Sequence, residues 1–289
     1  MNIMVKTGEL REAFRFSVGG EFRIVTDAAG KTSVRSTDGA LSAKYELPSA
    51  EVLGTTDTVA ISNSDKTIIL ESEDSEGLSI ISTDSAGIVE ITFPSGNTER
   101  LVRKPLTTPL SWEPVQTPYQ TMTIAPWEYG TVRPFVTEEE SKFGHRLPLR
   151  HIHLSGISLR ASNSYSAIDL FLSEPPLFEA FIPVLPKGLE IAKDVIVRAN
   201  GKVTVVVAGN LSLRLDSEGL EWPKWPMDNL LPNCTVSQDF PKIPLAERAK
   251  VKQALAGSHA LCETRQQVGK FPAPYIWNLT DRTIAAMPE

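Results

Sequence analysis

Short, closely spaced stretches in which apolar and polar residues alternate constrain this chain more than any other feature. Glu21–Val25, Lys31–Arg35, Ala40–Leu47, Thr58–Ser62 and Thr67–Glu71 each read as a strand, and Leu78–Ser82 and Gly87–Phe93 continue the series. They are rich in Val, Ile and Thr and are punctuated by Gly, Asn, Asp or Ser. Strands this close together join as antiparallel hairpins, because parallel pairing needs a long crossover. Ahead of them Leu10, Ala13, Phe14 and Val18 follow a helical spacing, which predicts a helix over 6–18 with Thr7 capping its start and Gly19-Gly20 stopping it.

The same order returns further along. Residues 125–140 form a candidate helix with Pro126 in its first turn and Pro134 as a kink. Strands are predicted at His151–Leu154, Ile157–Arg160, Ser166–Leu172, Glu179–Val184, Val195–Arg198, Lys202–Val207 and Leu211–Leu215. Two anchor points suggest that one half duplicates the other. Val34-Arg-Ser-Thr-Asp38 matches Leu159-Arg-Ala-Ser-Asn163, and Asp65-Lys66 before a strand matches Gly201-Lys202, with Leu78-Ser-Ile80 then matching Leu211-Ser-Leu213. Between the halves, Pro105 to Pro118 carries four prolines in fourteen residues and reads as a linker. The organisation expected is therefore 1–104, a first β-rich domain; 105–118, the linker; 119–233, a second domain of the same kind; and 234–289, a tail. In the tail, 243–263 reads as a helix and Lys270–Asn278 as extended and aromatic.

Composition excludes several functions. No run of eighteen apolar residues occurs, so no membrane span is expected, and the N-terminus lacks the apolar core of a signal peptide, which predicts a cytoplasmic protein. Cys234 and Cys262 cannot build a disulfide framework or a cysteine-rich zinc site. His151 and His153 share one face of a strand, but they and His145 lack a third ligand at a recognisable spacing, so no metal and no cofactor is expected. Ser17-Val-Gly-Gly20 lacks the Lys and spacing of a phosphate loop, and no nucleophile elbow occurs. No catalytic residues are assigned. The acidic runs Glu71, Glu73, Asp74, Glu76 and Glu138–Glu140 read as solvated surface. A net charge of −6 argues against coating nucleic acid with the whole surface, but not against meeting it on one face.

The order helix, strands, short second helix, hairpin strands, then the same again resembles the repeated unit of DNA sliding clamps. Leu159–Ile168 is similar to the stretch of the bacterial DNA polymerase III beta subunit in which a strand enters a Thr-Asp-Gly-His-Arg turn, although Ser164-Tyr165-Ser166 stands where that family has Gly-His-Arg. Phe181–Ile191 resembles its strand ending in a Pro-Arg/Lys-Lys/Gly helix start, Asn200–Leu215 its next hairpin, and Trp222-Pro-Lys-Trp-Pro226 its Phe-Pro-Asp-Tyr turn. The match covers 125–233, with a weaker echo over 1–104. Bacterial beta subunits have three such domains and this chain has two; the tail has no counterpart.

The resemblance implies an α+β fold of two tandem DNA-clamp domains, short helices packed on antiparallel sheets, plus a C-terminal helical and extended tail. It implies a non-enzymatic processivity factor, a ring that encircles double-stranded DNA without sequence preference and tethers a DNA polymerase, delivered by a clamp loader. A two-domain chain implies a homotrimer, and the mixture suits a phage-encoded clamp acting in the cytoplasm of a bacterial host. Helices would line the hole, with Lys6, Arg11, Arg15, Arg133, Lys142, Lys187 and Lys193 facing phosphates. A partner groove near the interdomain connection would use Leu106, Leu110, Trp112 and Val115. The rival reading is a β-rich structural or interaction protein of a phage, either a virion component or a clamp-like adaptor without a ring.

Overall fold

The computed structural model describes residues 1–54, 58–72, 76–84, 87–101, 119–136, 149–156, 158–162, 167–172, 178–189, 191 and 194–221, and the backbone of 238–239, 275–278 and 283–286. Two compact units form. One contains Met1–Pro118, Leu185–Ala192 and Val205–Asp216; the other contains Tyr119–Val184, Lys193–Thr204 and Ser217–Glu289. No helix among the described residues is long and apolar enough to cross a membrane.

The first repeat begins with β1 (Asn2–Lys6), whose alternate residues Ile3 and Val5 are fully buried. Helix α1 (Thr7–Arg15) follows directly, with Leu10, Ala13 and Phe14 on its buried side. Then come β2 (Glu21–Thr26), β3 (Thr32–Thr37), β4 (Leu41–Glu46), the two-residue β5 (Glu51–Val52) and β6 (Thr58–Ile61). Helix α2 (Asn63–Glu71) leads into β7 (Leu78–Thr83), β8 (Val89–Thr92) and β9 (Thr98–Leu101). Two sheets result. In one, β5, β1, β7, β8 and β9 lie side by side in that order; in the other, β4, β3, β2 and β6 do. Phe14 of α1 meets Phe22 of β2 edge-on at 5.9 Å, which ties the helix to the second sheet.

Thr7 does not cap α1, as the sequence had suggested. Lys6 occupies the cap position, and the Thr7 hydroxyl instead donates to the Gly77 carbonyl at 3.0 Å and meets the Ser79 hydroxyl at 2.8 Å. The helix also ends at Arg15, before Gly19. Gly19 serves the turn into β2: at φ 66° a Cβ there would lie 2.0 Å from the Thr37 carbonyl oxygen, so no other residue fits.

A larger correction concerns 67–71, read from its Thr-Ile-Ile run as a strand and found within α2. Ser62 and Asp65 close a capping box: the Ser62 hydroxyl accepts from the Asp65 N–H at 3.3 Å, and the Ser62 N–H donates to the Asp65 carboxylate at 2.8 Å. The box supplies the helix nucleus, and complete burial of Ile69 supplies the packing, which together override β-branched preference.

The second repeat comprises β10 (Gln120–Ile124), α3 (Pro126–Val132), a 3₁₀ turn at Arg133–Phe135, β11 (His151–Ser155), β12 (Ser158–Ser162), β13 (Ala167–Phe171), β14 (Ala180–Pro183), β15 (Val195–Ala199), β16 (Val203–Ala208) and β17 (Leu211–Asp216). All seven strands expected here are present. Pro134 falls in the 3₁₀ turn, where it lacks the N–H that would continue α3; residues 137–140 of the expected helix lie outside the described residues.

Topology establishes the duplication better than the sequence anchors did. β1 pairs antiparallel with β7, and β10 pairs antiparallel with β15, each through five residue pairs. β4-β3-β2-β6 has its counterpart in β13-β12-β11-β14. The anchor Val34–Asp38 to Leu159–Asn163 is sound, since β3 and β12 occupy the same place. The second anchor is not. Asp65-Lys66 lies in α2, whereas Gly201-Lys202 lies in the turn between β15 and β16, and Leu78 opens β7, whose counterpart is β15 and not the β17 of Leu211.

The tail contributes β18 (Gln238–Asp239), β19 (Tyr275–Asn278) and β20 (Thr283–Ala286). β19 pairs with β13, and β20 pairs with both β19 and β18. The helix expected over 243–263 lies outside the described residues.

Replacing Ser62 by Ala should lower unfolding stability by about 1 kcal/mol through loss of the cap, and Phe14→Ala by about 3–5 kcal/mol through a core cavity. Urea denaturation followed by circular dichroism measures both. A Ser62→Ala variant as stable as the parent would show that the capping box does not hold α2.

Candidate nucleic-acid interface

Helix α1 sorts its charges. Leu10, Ala13 and Phe14 face the core, and Arg11 and Arg15, four residues apart, share another side. Its two carboxylates are held elsewhere. The Glu12 carboxylate accepts from the Tyr45 hydroxyl of β4 at 2.5 Å, and Glu9 accepts from the Ser49 N–H at 3.0 Å and from the Ser49 hydroxyl. Burial, with Glu12 adding to it, raises the Tyr45 pKa, so the phenol stays a donor. Among the described residues no carboxylate pairs with Arg11 or Arg15. Arg15 is exposed and its guanidinium sits 5.8 Å from the Phe16 ring centre.

The same unit brings a second element to this place. The turn Pro186-Lys187-Gly188 closes with the Leu189 N–H donating to the Pro186 carbonyl at 3.3 Å. Gly188 has φ 82°, and a Cβ there would lie 2.9 Å from an Arg15 guanidinium nitrogen. Arg15 therefore lies against the turn that carries Lys187, which is exposed. Of the seven cations expected to meet phosphate, Arg11, Arg15 and Lys187 are thus gathered within one unit, around α1 and the turn against it. Lys6 is exposed where β1 passes into α1, and Arg133 is partly exposed in the 3₁₀ turn after α3. Lys142 and Lys193 lie outside the described residues, as do Leu106, Leu110, Trp112 and Val115 of the expected partner groove.

Sequence reasoning missed Lys66, because it took the segment after it for a strand. On α2 its ammonium donates to the Ser17 hydroxyl at 3.0 Å and lies 4.8 Å from the Phe22 ring centre, just beyond the C-terminal end of α1. Burial lowers its pKa. The signal that could have found it was Ser62-x-x-Asp65, the capping pattern. Duplication of the fold does not extend to charge, however. Counted from the helix starts, Gly130 and Pro134 stand where α1 has Arg11 and Arg15, and α3 exposes Trp127 at 61% instead.

His151 and His153 are buried on β11. The His153 ring stacks on Phe181 at 5.0 Å. Burial holds its pKa down at about 4, with Arg160 lowering it further and Glu179 opposing. No group of three His, Cys, Asp or Glu side chains placed to hold a metal occurs among the described residues. Of the acidic runs, Glu71 and Glu76 are exposed, as expected of solvated surface; Glu73, Asp74 and Glu138–Glu140 lie outside the described residues.

A buried neutral imidazole has a pH signature. The folded His153 pKa lies below the unfolded value near 6.5, so folding favours the neutral ring; its contribution is complete above pH about 6.5 and is lost as the pH falls toward 4. His153→Phe should flatten the pH dependence of the urea midpoint across that window. An unchanged slope would show that other groups set it.

No protein-family model matches the chain, and no curated protein does. Solved structures do. The DNA polymerase III beta subunit of Thermotoga maritima superposes with a TM-score of 0.61 at 14% identity, over 80% of this chain and 67% of that one. The DNA polymerase sliding clamp of Caulobacter crescentus gives 0.61 at 11% identity, over 83% and 71%. The DnaN sliding clamp of Bartonella birtlesii gives 0.62 at 12% identity, over 82% and 69%. At such identities the likeness is one of fold: the paired β1–β7 and β10–β15 sheets, the short helices beside them and the duplicated strand order are the sliding-clamp fold.

Proposed function

We propose that this chain is a DNA polymerase processivity factor, a sliding clamp that encircles duplex DNA and tethers the polymerase. The observation that carries the reading is the duplicated sliding-clamp unit together with a cation face on α1 from which the acids of the same helix have been drawn away. A ring holds DNA by topology, so its contacts can be weak and sequence-blind, and phosphate contacts from Arg and Lys meet that need. Arg11, Arg15 and Lys187 supply the described part of such a face; Lys6, Arg133, Lys142 and Lys193 extend it in this reading. An acidic chain is compatible with the role, because repulsion from the outer surface does not weaken a hold that is topological.

In the finer reading, three copies of the two-domain chain close the ring, a clamp loader places it on DNA, and the polymerase docks by a short apolar peptide near Leu106, Leu110, Trp112 and Val115. The protein performs no chemistry itself. Phage origin and action in the cytoplasm of a bacterial host fit a two-domain clamp of this type. A virion component would share the β-rich, proline-linked composition but would have no use for the charge sorting on α1.

Two measurements test this. Protein assembled at low salt on a nicked circular plasmid, then washed at high salt, should stay with the circle and be lost when a restriction enzyme linearises it; protein retained equally on the circle and on the linear form would end the ring reading. Separately, the log of affinity for short duplex DNA against the log of salt should lose about one unit of slope in each of Arg11→Gln and Arg15→Gln. Unchanged slopes would remove α1 from the DNA face.

A further inference from the structure

The two repeats treat the same strand edge differently. In the first, the outer edge of β4 accepts β17 antiparallel through five residue pairs, from Leu211 opposite Tyr45 to Leu215 opposite Leu41. In chain order β17 is the third strand after β14, just as β9 is the third strand after β6, so β9 is its counterpart. β13 is likewise the counterpart of β4. The duplication therefore defines two matching edges: the outer edge of β9, at the end of its sheet, and the outer edge of β13. Among the described residues β9 has a neighbour on one side only, β8. The edge of β13 is taken by β19 of the tail.

We infer that β19 is a built-in occupant of the β13 edge, the edge on which β9 of a second copy would dock, so that the tail governs self-association of this chain. The inference rests on the ring reading in taking a second copy as the occupant, and goes beyond it in giving the tail a role. Three features support it. Among the described residues the β13–β19 pairing is parallel and has two residue pairs, Ala167 with Ile276 and Ile168 with Trp277, against five for β17 on β4. A short parallel pairing is the weaker one and is displaceable by a longer antiparallel strand. With β19 and β20 in place, the sheet ends among the described residues at β18, two residues long, and short edge strands are poor templates for another chain. Finally, β9 carries Glu99 and Arg100, both exposed, with Arg100 donating to Glu90 at 3.0 Å; charges of this kind keep an edge from pairing indiscriminately while leaving its backbone available to a matched partner.

The test uses the full-length chain carrying Ile276→Pro together with Trp277→Pro, since proline removes the donors with which β19 joins a sheet. Light scattering after gel filtration is run over a range of protein concentrations, with thermal melting to confirm that the rest of the chain stays folded. The double variant should assemble at a protein concentration at least tenfold lower than the parent. Adding Glu99→Pro or Arg100→Pro, one of which removes an outward N–H of β9, should abolish that gain. An assembly midpoint equal to the parent's, or a gain indifferent to the β9 prolines, overturns the inference. The plasmid assay separates this from the ring reading: a parent chain that stays on circles and assembles no better without β19 leaves the ring standing and removes the tail's role.

Discussion

The pairing of the first strand of each repeat with the strand that follows its second connection is the constraint on which the rest depends. β1 meets β7 with Ile3 opposite Ile81, both fully buried, across more than seventy residues of chain. Closing so long a loop costs entropy, and the cost grows only slowly with length, so five ladder pairs and a shared apolar face can offset it. Once closed, the pairing fixes where α1 must run, because the helix starts at the residue after β1. Thr7 shows how tightly: its hydroxyl bonds to Gly77 and Ser79, at the entrance to β7, so helix start and strand pairing are one junction. The second repeat closes in the same manner, with β10 on β15.

That junction also determines which side of α1 can be cationic. With Leu10, Ala13 and Phe14 committed to the core, Glu12 falls beside β4 and finds Tyr45, and Glu9 finds Ser49. The remaining side belongs to Arg11 and Arg15. A helix with two acids and two bases would be neutral if its charges were mixed; the sheet beneath it separates them. The fold thereby makes a local positive surface on a chain whose net charge is −6.

Much of this was legible in the sequence, and the reasons for what was not are specific. β17 declared itself by strict alternation between turn residues, with Leu211, Leu213 and Leu215 buried and Ser212 and Arg214 partly exposed, while β2, β3 and β16 were legible from their Val, Ile and Thr content between turns. β1, β5, β9 and β10 were not. β5 has two residues; β9 has Glu and Arg at its centre; β1 and β10 run without a turn signal into a helix. The α2 error arose from giving Thr67-Ile68-Ile69 more weight than Ser62 and Asp65, although a capping box fixes a helix start by two hydrogen bonds while β-branching shifts preference by a fraction of a kcal/mol. For the candidate site, i to i+4 spacing made Arg11 and Arg15 readable as a pair. Nothing local could place Lys187 beside them, since that proximity depends on a glycine more than 170 residues away accepting the Arg15 guanidinium at van der Waals range.

The same distinction bears on what the duplication can be expected to preserve. Strand order is retained between the repeats because each ladder is a shared requirement of two strands, and losing either exposes the other. Side chains on the helix face carry no such mutual requirement. Counted from the helix starts, Gly130 and Pro134 stand where α1 holds Arg11 and Arg15, and the acidic partners Glu9 and Glu12 have as their α3 counterpart only Glu128, buried and turned back to bond the N–H of Ala125. The local positive surface is thus a property of the first repeat's helix and not of the duplicated fold, because no backbone ladder depends on which charges that helix carries.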